Sequence, residues 1–246
     1  MYDKLWLMVP TFKRVEWVKR FIDSAIGMAD NINNIQFCIC VNQKDEKTKE
    51  FFSNLNPLNV PFYIIPEKTI QPNIALYYNM MFNEINKLEN GKDFVASMLG
   101  DDMVFETKGY DTKLLQTINE NNGIGIFWCD DGYIAHDHLC VNLFVTKKMI
   151  DGTEKPFMCP MYKADMIDVV WYHVGGLTQT KHYLPDVIIH HYHSTGINKD
   201  FDSTFQRLIP LQQAANSDYM HTYAQVYASI VAGNLISHGY GKWIPI

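Results

Sequence analysis

The chain has 246 residues, of which 47% are hydrophobic and 20% are charged, and this profile excludes disordered, collagen-like and disulfide-rich proteins. Lysine and arginine total 21 against 27 for aspartate and glutamate, a formal net charge of −6, which disfavours a protein whose main task is to grip phosphate backbones. The five cysteines include no CxxC pair, and no run approaches the roughly 20 apolar residues of a membrane span, so we expect a cytoplasmic protein with reduced thiols and no membrane span.

The first hundred residues alternate short apolar runs with helical patterns. Apolar runs predict buried strands at residues 5–9, 35–41, 61–65 and 93–99. Amphipathic periodicity predicts helices at residues 14–29, 47–55 and 74–88. This alternation predicts right-handed crossovers and a mostly parallel sheet. The polar turns Pro10-Thr11, Asn42-Gln43 and Gly100-Asp101-Asp102 then share the carboxyl edge of the sheet, where such folds bind ligands.

The pattern changes beyond Asp102. It predicts helices at residues 110–119, 160–173 and 217–237, and strands at residues 123–129, 139–146 and 187–193. The predicted fold class is α/β, with a Rossmann-type mixed sheet flanked by helices. No linker rich in proline, glycine or serine marks a domain boundary. We therefore expect one domain over residues 1–205 and a helical C-terminal extension, residues 206–246, packed on it.

Asp101 and Asp102 form an acidic pair directly after the strand that ends at Leu99. Gly100 permits a tight turn there, with close backbone approach. Adjacent carboxylates repel each other unless a cation or hydrogen-bond donors lie between them, and Mg²⁺ or Mn²⁺ is commonly held by one or two carboxylates plus substrate phosphates. The pair predicts a divalent-metal site, and the alternative is an Asp-rich turn that caps the next element.

A histidine cluster ends the last predicted strand. On a strand, His191 and His193 point to one face and His190 to the other. Neutral imidazole is a good ligand for transition metals and a poor one for Mg²⁺, so a site that uses one of them favours Mn²⁺. Which of the three is a ligand stays open, and the alternative is a set of strand-end histidines that face solvent or the core.

A second loop also combines acidic residues with histidines. His136 and His138 lie beside Asp130, Asp131 and Asp137 in a predicted loop. Such a stretch is suited to binding sugar hydroxyls, and the alternative is an ordinary solvated loop.

Asp165 is the candidate general base. On a helix it shares a face with Asp168, and Trp171 follows at the next i+3 step. A carboxylate against an aromatic wall has a raised pKa, which suits it to accept a proton. The alternative is an acidic residue that the helix dipole stabilises in the first turn.

Taken together, these motifs resemble family 2-type glycosyltransferases with the GT-A nucleotide-sugar fold, over residues 5–205. Residues 7–14 (LMVPTFKR) are similar to the family's opening strand and its P-T-x-x-R turn, which contacts the nucleotide. Residues 99–102 (LGDD) resemble the DxD-like metal motif, and residues 184–191 (LPDVIIHH) resemble the strand that delivers a late histidine. The segment that carries Gly196, Lys199, Asp202 and Thr204 resembles one that closes over the diphosphate in some relatives.

The resemblance implies a set of functional residues. The implied donor contacts are Pro10, Thr11, Arg14, Asn42, Asn79, Asp101 and Lys199. Asp102 and His191, with His193 as a further candidate, would hold Mn²⁺ or Mg²⁺. Asp165 falls where the family has the base that activates the acceptor hydroxyl, which implies inversion at the transferred sugar.

The sequence also departs from the family pattern. Asn42 stands where many relatives have an Asp that reads the base, Gly100 replaces the first Asp of the metal motif, and Ala164 stands where an acidic residue is frequent. No QxxRW-type sequence follows, which argues against a processive polysaccharide synthase.

The expected activity is transfer of a hexosyl or pentosyl group from a nucleotide sugar, with a UDP-sugar favoured, to an acceptor hydroxyl. The acceptor is a glycan or a hydroxymethylated base of phage DNA, and the net charge does not favour nucleic acid. One alternative is a nucleotidyltransferase, which should have a Gly-rich first turn that residues 11–14 lack. The other is a non-catalytic module that binds nucleotide or carbohydrate, which would not need Asp102 and Asp165 together.

Overall fold

The structure is a computed structural model that describes residues 1–55, 62–67, 73–133, 135–162, 166–192 and 218–242. Its first half contains β1 (Leu5–Thr11), α1 (Val15–Met28), β2 (Ile35–Asn42), α2 (Glu46–Asn54), β3 (Phe62–Glu67), α3 (Ile74–Leu88) and β4 (Val95–Met98). Its second half contains β5 (Met103–Phe105), α4 (Tyr110–Glu120), β6 (Ile126–Asp130), β7 (Leu143–Thr146), α5 (Lys147–Gly152), α6 (Ile167–Thr178), β8 (Lys181–His191) and α7 (Asp218–Ser237).

The strands form a mixed sheet in the order β3-β2-β1-β4-β7-β6-β8-β5. β3, β2, β1 and β4 are parallel to one another, as the alternation of strands and helices predicts. β7 is antiparallel to both β4 and β6, β8 is parallel to β6, and β5 is antiparallel to β8. The predicted α/β fold with a mixed sheet, flanking helices and a helical C-terminal segment is confirmed, and the parallel pattern ends at β4.

The sheet is buried on both faces, which is why its central strands are continuous apolar runs. In β1, Leu5, Leu7 and Val9 pack with α1 and α4 on one face. Trp6 and Met8 point the other way and pack with α3, α6 and α7. Successive side chains of a strand alternate between faces, so one strand contributes to both hydrophobic clusters.

Two predicted elements begin six or more residues away from their predicted start. The helix predicted at residues 160–173 begins only at Ile167, because Met166 before it has a left-handed backbone, with φ 70°. The strand predicted at residues 187–193 begins earlier, at Lys181. It contains Pro185 where the pairing with β6 shifts register, and such an irregularity accommodates a residue that has no N–H to donate.

Three short elements have no counterpart in the predicted pattern: β5, α5 and a 3₁₀ turn at Ile32–Asn34. β5 has three residues, which is too few to show a period. α5 has six residues and begins where the Thr146 hydroxyl accepts the Met149 N–H, directly after β7. None of the helices among the described residues combines the length and apolar character needed to cross a membrane. The five cysteines are free and buried.

Candidate functional site

The turns after β1 and β4 meet at the carboxyl edge of the sheet. The Leu99 N–H donates to the Met8 carbonyl at 3.3 Å, which holds the end of β4 against β1. The Thr11 hydroxyl, at the last residue of β1, donates to Asp101 at 2.8 Å. The parallel arrangement therefore brings together two of the three polar turns that the sequence predicts at one edge.

Arg14 neutralises Asp101. As the N-cap of α1 it extends its guanidinium back over the sheet edge, where Nη1 lies 2.8 Å from Asp101 Oδ1 and 3.6 Å from Asp102 Oδ2. Asp101 is only 4% exposed. Burial raises its pKa, and the neighbouring Asp102 raises it further, against the lowering effect of Arg14. Asp101 is thus tied into the protein by a hydroxyl and a guanidinium.

His191 is the partner of Asp102. β5 follows the acidic turn and pairs with β8 so that Met103 lies opposite His191, and the Tyr192 N–H donates to the Asp102 carbonyl at 3.0 Å. This pairing places His191 Nε2 3.4 Å from Asp102 Oδ1.

The contact between Asp102 and His191 favours the charged form of both side chains. Burial alone would raise the pKa of Asp102, but the charge and hydrogen bond of His191, with Arg14, outweigh it and lower that pKa. Burial would likewise lower the pKa of His191, and the Asp102 carboxylate raises it instead. In the absence of other partners, the two groups form an ion pair.

The chemistry of Asp102 and His191 fits a divalent ion. One carboxylate oxygen and one imidazole nitrogen converge, and this mixed donor set suits Mn²⁺ better than Mg²⁺. Two ligands of one octahedral ion, each at about 2.1 Å, lie about 3 Å apart. The observed separation of 3.4 Å therefore needs little adjustment. Arg14 already offsets the charge of Asp101, which leaves Asp102 as the carboxylate available to a metal.

The turn between β1 and α1 has an anchor that the sequence did not reveal. Lys13 has a left-handed backbone, with φ 57°, and its N–H donates to the carboxylate of Asp45. Asp45 is 2% exposed and also caps α2, since it accepts the Thr48 N–H at 3.2 Å and the Thr48 hydroxyl at 2.6 Å. A polar residue before a helical pattern signals an N-cap. The hydrogen bond from the Lys13 N–H to Asp45 joins segments that are distant in sequence, so only the folded structure reveals it.

The remaining nucleotide-contact candidates have different environments. Pro10 pairs in register with Cys40, one residue before the end of β1. Asn42 ends β2 at the same sheet edge, where its side-chain oxygen accepts the Lys44 N–H at 3.0 Å. The Asn79 amide is used within the protein, because its nitrogen donates to the Met158 carbonyl at 2.9 Å and its oxygen accepts the Met158 N–H at 2.8 Å.

Three predicted site residues, Asp165, His193 and Lys199, lie outside the described residues. Asp168 lies in the first turn of α6, a position that the predicted helix over residues 160–173 did not give it. Trp171 is buried and donates its indole N–H to the Phe157 carbonyl at 3.1 Å, so it is part of the core.

The loop after β6 holds a second group of possible metal ligands. Ligand atoms of Asp130, Asp131 and His136 all lie within 4.8 Å of one another. Asp131 accepts the N–H groups of Ala135 and His136, at 3.0 and 2.8 Å, and Asp130 lies 2.9 Å from His136 Nδ1. Asp130 also accepts the Tyr183 hydroxyl.

These contacts organise the loop, and they connect it to the first site. The His191 N–H donates to the Asp131 carbonyl at 2.9 Å. The sequence predicts that this stretch either binds sugar hydroxyls or is a solvated loop. Asp131 lies beside His191, and the carboxylates of Asp130 and Asp131 are both in hydrogen bonds.

Known proteins resemble this chain in structure and not in sequence. No protein-family description and no characterised protein sequence matches it. Mannosyltransferase PcManGT from Pyrobaculum calidifontis, in complex with GDP-Man and Mn²⁺, superposes with a TM-score of 0.60 at 10% identity, over 100% of this chain and 77% of that one. S. aureus TarS 1-349 in complex with UDP-GlcNAc gives a TM-score of 0.58 at 10% identity, over 95% and 73%. A longer TarS structure is covered over 44% of its length.

One neighbour is a mannosyltransferase with bound GDP-Man and the other is in complex with UDP-GlcNAc, and the GT-A-like fold predicted from the motifs is confirmed. At this level of identity the likeness concerns the fold. The assignment to family 2 and the roles of the site residues stay predictions.

Proposed function

We propose that this protein is a metal-dependent glycosyltransferase that moves a hexosyl or pentosyl group from a nucleoside-diphosphate sugar to an acceptor hydroxyl. The observation that carries the proposal is the convergence of Arg14, Asp101, Asp102 and His191 at the carboxyl edge of a GT-A-like sheet. Structural neighbours with bound GDP-Man and UDP-GlcNAc support this choice of substrate class.

The nucleotide would lie across the ends of β1 and β2. Pro10, Thr11 and Asn42 border this part of the edge, and Arg14 with Asp101 closes it toward β4. We favour UDP-sugars as donors. The neighbour with bound UDP-GlcNAc supports this preference. Asn42 does not add to it, because an amide can both donate and accept a hydrogen bond and so discriminates between bases less sharply than a carboxylate does.

Asp102 and His191 would hold Mn²⁺ or, less well, Mg²⁺. When bound, the ion supplies positive charge that stabilises the departing nucleoside diphosphate. The protein's contribution is to keep the two ligands converged, through the pairing of β5 with β8 and the hydrogen bond from Tyr192 to the Asp102 carbonyl. Arg14 keeps the second carboxylate, Asp101, from competing for the ion.

Asp165 is proposed as the base. The acceptor oxygen forms a bond to the anomeric carbon, the bond from that carbon to the diphosphate oxygen breaks, and its electron pair leaves with the diphosphate. The acceptor proton goes to the Asp165 carboxylate. Attack opposite the leaving group inverts the anomeric centre. A glycan is the favoured acceptor, since the formal net charge of −6 does not favour DNA.

The first experiment is a thermal-unfolding series with UDP, GDP and their sugar conjugates, each with and without Mn²⁺. A ligand at a hundredfold excess over its Kd raises the midpoint by roughly 5–10 °C. We expect a Mn²⁺-dependent rise for one nucleotide, and loss of the Mn²⁺-dependent part in Asp102→Asn. Asp23→Asn, which removes an exposed carboxylate on α1, is the matched control.

Activity then separates the proposal from its alternatives. Release of nucleoside diphosphate from the sugar nucleotide, with a glycosylated product, supports a transferase. Tight binding without turnover on any glycan or modified-DNA acceptor would favour the binding module. Release of pyrophosphate from a nucleoside triphosphate would favour a nucleotidyltransferase. Full activity of Asp165→Asn would exclude Asp165 as the base.

A further inference from the structure

Arg20 on α1 lies beside the candidate site in an aromatic setting. Its guanidinium carbon is 4.3 Å from the ring centroid of Trp17 and 4.4 Å from that of Tyr192. Trp17 also lies 5.8 Å from the guanidinium carbon of Arg14. The three helix positions follow one another at i+3 spacing and form one row, which leads from the Arg14–Asp101 pair to the end of β8.

One edge of the Arg20 guanidinium, formed by Nε and Nη2, has no hydrogen-bond partner among the described residues. Both atoms are buried, and Arg20 forms no ion pair with any carboxylate among these residues. These two N–H groups point to the same side of the guanidinium. That side binds two oxygens of a carboxylate or phosphate at once. Buried donors without partners are costly, so a bidentate anion there would be strongly favoured.

Glu106, the acidic side chain that contacts Tyr192, already has other partners. Glu106 Oε1 lies 3.2 Å from His190 Nδ1 and 3.5 Å from the Tyr192 hydroxyl. The rings of His190 and Tyr192 stack at 4.2 Å. This stack fixes the Tyr192 ring against which the guanidinium lies. Tyr192 thereby acts as a positioning residue for Arg20.

With a nucleotide bound, the candidate site at the sheet edge would hold more negative charge than Arg14 alone offsets. Asp101 and Asp102 contribute two carboxylates, and Arg14 is engaged by both. A nucleoside diphosphate adds further charge, most of it at the departing phosphate. Tyr192, the residue after His191, connects the two places through its hydrogen bond to Asp102.

We propose that Arg20 binds phosphate oxygens of the donor's diphosphate through Nε and Nη2, and that it offsets the charge which develops on the leaving group. Arginine is suited to this task because its charge is permanent and its fork matches two phosphate oxygens. The inference rests on the proposed function, since it assumes that a nucleoside diphosphate occupies the sheet edge.

The test compares Arg20→Gln with Lys19→Gln in the full chain. Lys19 is the adjacent helix residue, exposed and paired with Asp23, so its replacement removes the same charge without touching the aromatic row. Calorimetry with UDP and GDP in the presence of Mn²⁺ gives the diphosphate affinities, and ligand-observed NMR gives those of uridine and guanosine. We expect Arg20→Gln to weaken diphosphate binding at least tenfold and to leave nucleoside binding within twofold. Lys19→Gln should leave both unchanged.

Arg20→Lys adds a further readout. Lysine keeps the positive charge but cannot donate two parallel hydrogen bonds to one phosphate. The diphosphate affinity of Arg20→Lys should therefore fall between that of the wild type and that of Arg20→Gln. Unchanged diphosphate affinity in Arg20→Gln would overturn the inference and leave the proposed function standing. Equal weakening of nucleoside and diphosphate binding, together with a lower melting temperature, would also overturn it, because Arg20 would then act only through packing. A wild type that binds neither UDP nor GDP would overturn the proposed function itself.

Discussion

Asp101 and Asp102 are adjacent in sequence, and the fold shifts their pKa values in opposite directions. Asp101 is buried with Thr11 and Arg14 as partners, and burial raises its pKa. Asp102 has His191 as its partner, whose charge lowers the Asp102 pKa in spite of burial. Asp101 therefore belongs to the protein's internal network. Asp102 has a partner that can lose a proton and so become a second ligand.

The affinity for Mn²⁺ should rise with pH. The pKa of His191 is raised by Asp102, against the effect of burial, so the imidazole stays protonated to a higher pH than an ordinary histidine and must lose that proton to bind a metal. Calorimetry at pH 6 and pH 8 should show tighter binding at pH 8, with proton release that depends on the buffer. His191→Gln should bind more weakly and lose the dependence. Equal affinity at both pH values would exclude His191 as a ligand.

At the level of elements, one buried carboxylate joins two neighbouring segments. Asp45 caps α2 and also accepts the Lys13 N–H, in the turn that leads from β1 to Arg14. The conformation of that turn, with a left-handed Lys13, thus depends on a residue that follows the neighbouring strand.

Asp45→Ala should destabilise the protein by about 1–2 kcal/mol, the usual cost of a lost N-cap, and should weaken nucleotide binding because the turn that carries Thr11 and Arg14 loses its anchor. Urea unfolding measures the first effect and calorimetry with nucleoside diphosphate the second. Asp45→Asn separates the two roles, since asparagine still caps α2 through its oxygen but presents an amide N–H₂ where Asp45 Oδ2 accepts the Lys13 N–H. Unchanged nucleotide affinity in Asp45→Ala would show that the turn holds its shape without this contact.

Asn79 allows two roles to be separated by experiment. Both polar atoms of its amide bind the Met158 backbone, which fastens the segment before α6 to α3. Asn79→Ala leaves that N–H and carbonyl without partners, so we expect a loss of roughly 2 kcal/mol in the free energy of unfolding. Glu84→Ala, at an exposed position of the same helix, should have little effect. Weaker nucleotide binding at unchanged stability would instead support the nucleotide contact that the family resemblance implies.

For the whole molecule, the C-terminal helix completes the core. Ala228, Val231 and Leu235 of α7 are buried in the same cluster as Val170 and Val174 of α6. α7 thus packs on α6 and completes the hydrophobic layer on this face of the sheet.

Leu235→Ala should therefore lower the free energy of unfolding by about 2–5 kcal/mol, because Leu235 is fully buried and its loss leaves a cavity. Val226→Ala on the same helix is the control, since Val226 is 53% exposed and its truncation should change stability by less than about 0.5 kcal/mol. Equal melting temperatures for the two variants would contradict the packing of α7 on the core.

The sequence was most informative where burial was uniform. The first strands are buried on both faces, so their apolar runs are continuous and their ends carry the polar turns. β8 was predicted only in part, because its first half has a single buried residue, Leu184, before the exposed Pro185 and so shows no apolar run. β5 is too short to show any pattern, and its pairing with β8 is what brings His191 to Asp102.

Residue type and strand position predict Asp102 and His191 as candidate ligands, but they do not predict the contacts between them and their neighbours. The distance between them, the engagement of Arg14 by Asp101 and the unpaired edge of Arg20 all depend on side-chain packing between distant segments. Local patterns carry no information about such packing.

The five buried thiols can be used to measure where the fold opens locally. Alkylating reagents attack the thiolate, and burial raises the pKa of Cys38, Cys129 and Cys140, so these groups stay inert while the fold is closed. They lie at separate places, on β2, on β6 and in the connection before β7. Mass spectrometry after brief alkylation would give an opening rate for each place without any introduced label. Comparison of these rates with and without nucleotide would show at which cysteine the bound ligand slows local opening.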